Sequence, residues 1–176
     1  MADISASQVK KLREQTGAGL MDCKKALTEN NGDHEAAVEW LRKKGAATAE
    51  KKASRSTSEG VIARHLSENG KSGTIVEINC ETDFVAKNEK FQQFCDEIAA
   101  GYAADSSANL EEQRTKAVAE IGENIQFTRN ESLSIDGPGA VTAYIHHGAK
   151  VGVLLAVATN KDETTGTDAF KELLSD

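Results

Sequence analysis

One segment of this 176-residue chain is written twice. Lys71-Ser72-Gly73-Thr74-Ile75-Val76-Glu77-Ile78 recurs in outline as Lys150-Val151-Gly152-Val153-Leu154-Leu155-Ala156-Val157. Each copy follows another strand-like segment, Val61 to Leu66 in the first case and Val141 to His146 in the second. Such self-similarity marks two copies of one supersecondary unit, here strand–turn–strand. Glu68-Asn69-Gly70-Lys71 supplies the first turn. After the first copy the pattern becomes helical, with Phe91, Phe94, Cys95, Ile98 and Tyr102 on one face. A second helix brings Val118, Ile121 and Ile125 together, and Gln126 to Ser134 reads as a return strand. A turn at Asp136-Gly137-Pro138-Gly139 leads into the second copy, which closes with a strand from Val151 to Ala158. This copy reads as incomplete by Asp176, either because the chain is shortened or because another chain covers the missing edge.

Upstream of the repeat the periodicity is that of helices. Ser5 and Gln8 have capping-box spacing, with Ile4 and Val9 placed to staple the entry. Val9 and Leu12 continue the buried face until Thr16-Gly17-Ala18-Gly19 breaks it. Leu20, Cys23 and Leu27 define a second helix, stopped at Asn30-Asn31-Gly32. Asp33 caps a third, in which Ala37, Trp40 and Leu41 face inward before Gly45. The expected fold class is α+β: a small N-terminal three-helix bundle, a linker, then an antiparallel sheet with helices packed on one side. The expected organisation is a bundle over 1–45, a linker over 46–59 whose Ala/Lys-rich first half (Ala46 to Ala53) is helical, a first core half over 60–138 and the start of a second over 139–176.

Composition narrows the function. A net charge of −7 argues against broad binding to nucleic acid. The one concentrated basic region, Arg42-Lys43-Lys44 with Lys51, Lys52 and Arg55, has no interleaved aromatic side chains to stack on bases. Cys23, Cys80 and Cys95 are scattered and odd in number, which fits buried thiols of a cytoplasmic protein better than disulfides or zinc ligands. No apolar run is long enough to cross a bilayer, and Met1 to Ser5 lack the character of a secretion signal.

Candidate chemical motifs are thin. Gly70-Lys71-Ser72 resembles the end of a phosphate loop, but His65 stands where its first glycine belongs and the segment lies in a hairpin, so no direct nucleotide binding is expected. Adjacent His146 and His147 on a strand point to opposite faces, poor geometry for a shared metal. No serine, cysteine or carboxylate pair is marked out for catalysis, so neither an enzyme nor a cofactor or metal is expected. The most informative segment is Glu81-Thr82-Asp83-Phe84-Val85-Ala86-Lys87-Asn88, where a strand ends, an aromatic follows and Asn88 can cap a helix. Phe84 either folds back into the core or stands exposed as an anchor for a partner.

At this point the sequence resembles the elongation factor Ts family. The resemblance rests on Thr16-Gly17-Ala18-Gly19-Leu20-Met21-Asp22-Cys23-Lys24-Lys25-Ala26-Leu27, on Glu81 to Ala86, on Ile121-Gly122-Glu123-Asn124-Ile125 and on His147-Gly148-Ala149-Lys150-Val151-Gly152-Val153-Leu154. It implies a cytoplasmic guanine-nucleotide exchange factor in translation elongation whose partner is the GTPase elongation factor Tu. It implies that the helical bundle is similar to ubiquitin-associated domains, with Arg13, Leu20 and Met21 on the surface that grips the GTPase. Thr82, Asp83, Phe84 and Val85 match the motif that intrudes beside the magnesium and phosphate site, and His147 matches a contact of the second core half. Shorter members pair as homodimers, which leaves a homodimer open here. The rival readings are an adaptor built on the helical bundle and an RNA-binding protein using the basic connector.

Overall fold

A computed structural model describes residues 4–175, so the reading of Met1 to Asp3 lies outside the described residues. The elements are α1 (Ala6–Thr16), α2 (Leu20–Glu29), α3 (His34–Lys52), β1 (Glu59–Leu66), β2 (Ser72–Cys80), α4 (Asp83–Ala86) and α5 (Glu89–Ala104). They continue with α6 (Glu111–Ile121), β3 (Ile125–Ser134), β4 (Gly139–Ile145), β5 (Gly152–Ala158), α7 (Asp162–Thr165) and α8 (Asp168–Ser175). The fold is α+β, as the pattern predicts, and divides into two compact units. One runs to Ser56 and takes in Glu111–Ile125; the other holds Thr57–Leu110 and the chain from Gln126 onward.

The first unit is helical. Ser5 and Gln8 form the reciprocal capping box, which satisfies otherwise orphaned N–H groups at the start of α1. Val9, Leu12, Cys23, Ala26, Leu27, Ala37 and Leu41 build the core of the bundle, with Ile4 and Trp40 packed at its edge. Leu12 and Leu27 are fully buried, and burial of such side chains stabilises by about 1.5–3 kcal/mol each.

Ala46 to Ala53 is helical up to Lys52, as expected, but no break at Gly45 separates it from the third helix. The helix runs through it to Lys52 because α6 packs along α3, and Gly45 is buried against Thr115 and Ala119. Tertiary packing here overrides a helix penalty of about 1 kcal/mol. The same contact corrects a second reading: α6, expected with the sheet, belongs to the helical unit. Asn124, fully buried after α6, donates through Nδ2 to the carbonyls of Ala53 and Arg55 and so ties down the end of α3.

The second unit is built on the repeat. β1 and β2 pair antiparallel from Glu59↔Cys80 to Leu66↔Gly73, and β3 adds to the free side of β2. β4 and β5 form a separate antiparallel pair from Gly139↔Ala158 to Ile145↔Gly152. The offset that carries Lys71 onto Lys150 carries the first register onto the second, pair by pair. Gly60 and Gly139 occupy the same place in the two copies, at φ 147° and 141°. In each, a Cβ would stand 2.2 Å from a carbonyl oxygen of the paired strand, so only glycine fits.

The two hairpins pack face to face as pseudo-symmetric equals. The Val141 amide donates to the Gly70 carbonyl at 2.7 Å, and the Ile62 amide donates to the Ala149 carbonyl at 2.8 Å. Each contact is the other with the copies exchanged, the signature of a two-fold interface, here inside one chain. The repeat also extends further than the sequence reading found. The same offset carries α4 onto α7 and the start of α5 onto the start of α8, and it carries buried Phe91 onto buried Phe170.

Candidate functional site

β2 delivers the chain to the segment that the sequence marks out. Cys80 is buried at the strand's end, and its thiol donates to the Thr82 carbonyl at 3.3 Å. Thr82 then acts as N-cap, its hydroxyl accepting the Val85 amide at 3.3 Å. The result is α4, a single helical turn. Ala86 anchors it in the core, and Asn88 caps α5 directly behind it by accepting the Lys90 amide. A turn fixed by a strand on one side and a long helix on the other holds its side chains in place.

Phe84 projects from this turn and is 82% exposed. It is the most exposed large apolar side chain among the described residues. The other copy supplies an internal control. There α7 makes the same one-turn helix, but Glu163 stands where Phe84 does, and no side chain caps the turn. The scaffold therefore needs the turn and not the ring.

Asp83, next to Phe84, bonds Lys87 one helical turn on at 2.7 Å. That hydrogen bond holds the Asp83 carboxyl below the usual carboxylate range and pushes Lys87 up. Asp83 is therefore an anion at neutral pH, with Lys87 as partner. Sequence reasoning missed Lys87. Its spacing from Asp83 is diagnostic only once a helix is assumed, and a single turn is too short to show periodicity.

His147 is exposed in the β4–β5 turn. Lys150 of that turn bonds Glu59 at the start of β1 at 2.5 Å, and the Glu59 charge also reaches Lys87. The β4–β5 turn and the Phe84 turn thus share one end of the sheet unit. His146, by contrast, bonds the Tyr144 hydroxyl through Nδ1 at 2.9 Å.

In the helical unit, Arg13 is exposed in the last turn of α1. Leu20 and Met21 open α2 and are 54% and 72% exposed. Leu20 was expected on the buried face of α2; Ala26 takes that place beside Cys23 and Leu27. Two neighbouring apolar side chains in water make a surface suited to a protein partner.

The other candidate motifs are occupied internally. Lys71 of the Gly70-Lys71-Ser72 turn donates to the carbonyls of Gly137 and Gly139 at 2.8 and 2.9 Å. In the basic stretch, Arg42 bonds Glu39, Lys44 bonds Asp22 at 2.5 Å and Lys52 bonds the Gly122 carbonyl. Among the described residues no group of three or more His, Cys, Asp or Glu could hold a metal ion, and no helix is long and apolar enough to cross a membrane.

Comparison with known proteins bears on this geometry. A family model described as Elongation factor TS matches residues 81–173, from the Phe84 turn to the last helix. The chain belongs to the elongation factor Ts family. Among curated relatives, Elongation factor Ts of Trichlorobacter lovleyi is 46% identical over 98% of this chain and 60% of its own length. Elongation factor Ts of Nitratiruptor sp. is also 46% identical, over 98% of this chain and 60% of its own length. That of Clostridium botulinum strain Eklund 17B is 47% identical over 97% of this chain and 60% of its own length. The chain thus spans about three-fifths of these elongation factor Ts relatives.

Proposed function

We propose that the protein is a guanine-nucleotide exchange factor of translation elongation that acts by binding, not by bond chemistry. Its partner is elongation factor Tu, in the nucleotide-free or GDP-bound state, and it works in the cytoplasm. Phe84 and Asp83 enter beside the partner's magnesium and phosphate site, on the turn that Thr82 caps and Val85 closes, and there promote release of GDP. Arg13, Leu20 and Met21 grip the GTPase from the helical unit, and His147 adds a contact from the second copy. GTP displaces the factor at the end of the cycle.

One observation carries this reading: a phenylalanine is held in water on a clamped turn that its own repeat builds with glutamate. Membership of the elongation factor Ts family supports elongation factor Tu as the partner. Coupling must be reciprocal, so a factor that weakens GDP binding is itself weakened by GDP through the same free energy. Asp83, an anion brought towards phosphate and a metal ion, disturbs the charge balance that holds both.

The test is stopped-flow release of fluorescently labelled GDP from elongation factor Tu. Saturating amounts of this chain should speed release. Unchanged release would overturn the assignment for this chain.

A further inference from the structure

A lysine pins the two hairpins together at each end, and the two joints are not alike. Lys71, in the β1–β2 turn, donates to the carbonyls of Gly137 and Gly139 where β4 begins. The repeat carries Lys71 onto Lys150, which reaches from the β4–β5 turn to the start of β1 in the same way. There it meets the Glu59 carboxylate at 2.5 Å. Pro138 stands in the other copy where Glu59 stands in this one, so the hairpins can be pinned without a carboxylate. The carboxylate falls at the end of the sheet unit that carries Phe84 and His147.

Glu59 is held at that end by its backbone. It pairs with Cys80, and its carbonyl accepts Nδ2 of Asn79 at 3.3 Å, so it lies against the last residues of β2 before the Thr82 cap. Its side chain clasps a turn whose conformation costs energy. Ala149 has φ 54°, a left-handed backbone unfavourable for any residue with a Cβ, whereas its counterpart Gly70 adopts φ 64° freely. Two contacts from β1 hold Ala149 there: the Ile62 amide on its carbonyl at 2.8 Å, and Glu59 on the neighbouring Lys150. The Glu59 charge also favours protonated Lys87, a smaller contribution beside that of Asp83. The Lys150–Glu59 pair is partly exposed, and such pairs add little to stability. Its effect is on where the turn sits.

We propose that Glu59 is a positioning residue for nucleotide exchange, a role that rests on the function assigned above: through Lys150 it fixes the turn carrying His147 beside the root of the Phe84 turn, so that both meet the GTPase as one preformed surface. Without the pair, the His147 turn must be ordered as it binds. That weakens binding of the factor and leaves the entry of Phe84 intact.

The test is stopped-flow GDP release from elongation factor Tu over a range of factor concentrations, with Glu59→Gln, Lys150→Met and the two combined. Each single variant should raise the half-saturating concentration by about fivefold and keep the maximal rate within about twofold of the parent. Combining them should add less than about twofold, because both break the same pair. In the free protein, amide exchange at Ile62 and Ala149 should quicken in Glu59→Gln, while Val141, the counterpart of Ile62 in the other copy, should exchange as in the parent. A half-saturating concentration that moves less than about twofold, or two substitutions that act independently, overturns the role of Glu59. Faster exchange at Val141 as well, with a lower melting temperature, would make Glu59 a residue of the fold and overturn it too. A parent chain that leaves GDP release unchanged overturns the exchange function and this role with it. A parent that speeds release, matched in full by both variants, overturns this role alone.

Discussion

Replacing Phe84 with alanine separates the mechanism from the scaffold. The ring is 82% exposed in the free protein, so nearly all of its apolar surface remains to be buried in a partner. Full burial of a phenylalanine stabilises by about 1.5–3 kcal/mol. At about 1.4 kcal/mol per decade, this corresponds to a ten- to hundredfold effect if all of it opposes GDP. Phe84→Ala should therefore slow factor-stimulated GDP release by about ten- to a hundredfold in stopped flow, with Phe84→Leu between the two. Thermal unfolding should barely move, because surface substitutions of this kind change stability by about 0.5 kcal/mol or less. Reciprocity gives a second readout. The ratio of factor affinities for nucleotide-free and GDP-bound elongation factor Tu should shrink by the same factor as the effect on GDP affinity. Stimulated release that changes less than about threefold, with the melting temperature unchanged, would refute the assigned role of the ring. A large fall in melting temperature would instead show that the ring supports its own fold.

Three further outcomes follow from the geometry. Gly45→Ala should raise stability by about 0.4–1 kcal/mol, read as a higher melting temperature, because a Cβ there would lie 3.6 Å from Ala119 and the helix gains propensity. Gly139→Ala should do the reverse by several kcal/mol or prevent folding, since its Cβ would stand 2.2 Å from the Val157 carbonyl oxygen at a positive φ. Lys87→Met should return the Asp83 pKa upward towards the ordinary carboxylate value, followed by carboxyl NMR titration. The sign follows from linkage: a depressed folded pKa lends stability above the unfolded value, near 3.9, and that contribution is lost as pH falls through the folded value. An unchanged Asp83 titration would show that Lys87 is not its partner in solution.

What could be read in advance was whatever repeats or has a period. The capping box at Ser5, the apolar faces of α1 and α5, the two hairpins and their pairing all leave patterns over many residues. Gly45 misled because helix propensity is local, whereas the α6 surface that overrides it comes from far along the chain. The assignment of α6 failed for the same reason: Val118 and Ile121 reveal an apolar face but not which element it meets. The second copy was traced only to its strands. α7 lacks the aromatic and the side-chain cap that mark α4, and in α8 only Phe170 with its Thr167 cap survived as a signal. In the candidate site the sequence pointed to the segment and family resemblance to its residues. The exposure of Phe84 had to be seen in three dimensions, since chemistry alone left a core position equally open.

The duplication explains how such a site can be carried at little cost. Two copies that meet about a pseudo-two-fold axis stabilise each other through matched contacts, such as Val141 to Gly70 and Ile62 to Ala149. Those contacts require the hairpins, their turns and the glycines at Gly60 and Gly139. They place no demand on the solvent side of the one-turn helix that follows each hairpin. One copy fills that position with exposed Glu163, while the other fills it with exposed Phe84. Exchanging the residues tests this division of labour. Phe84→Glu should leave the melting temperature close to that of the parent while abolishing the ring's share of GDP release, and Glu163→Phe should fold without restoring it, because the second turn lacks the Thr82 cap and the Asp83–Lys87 pair beside it. Exchange restored in the double variant would show that the ring alone, and not the turn that presents it, carries the activity.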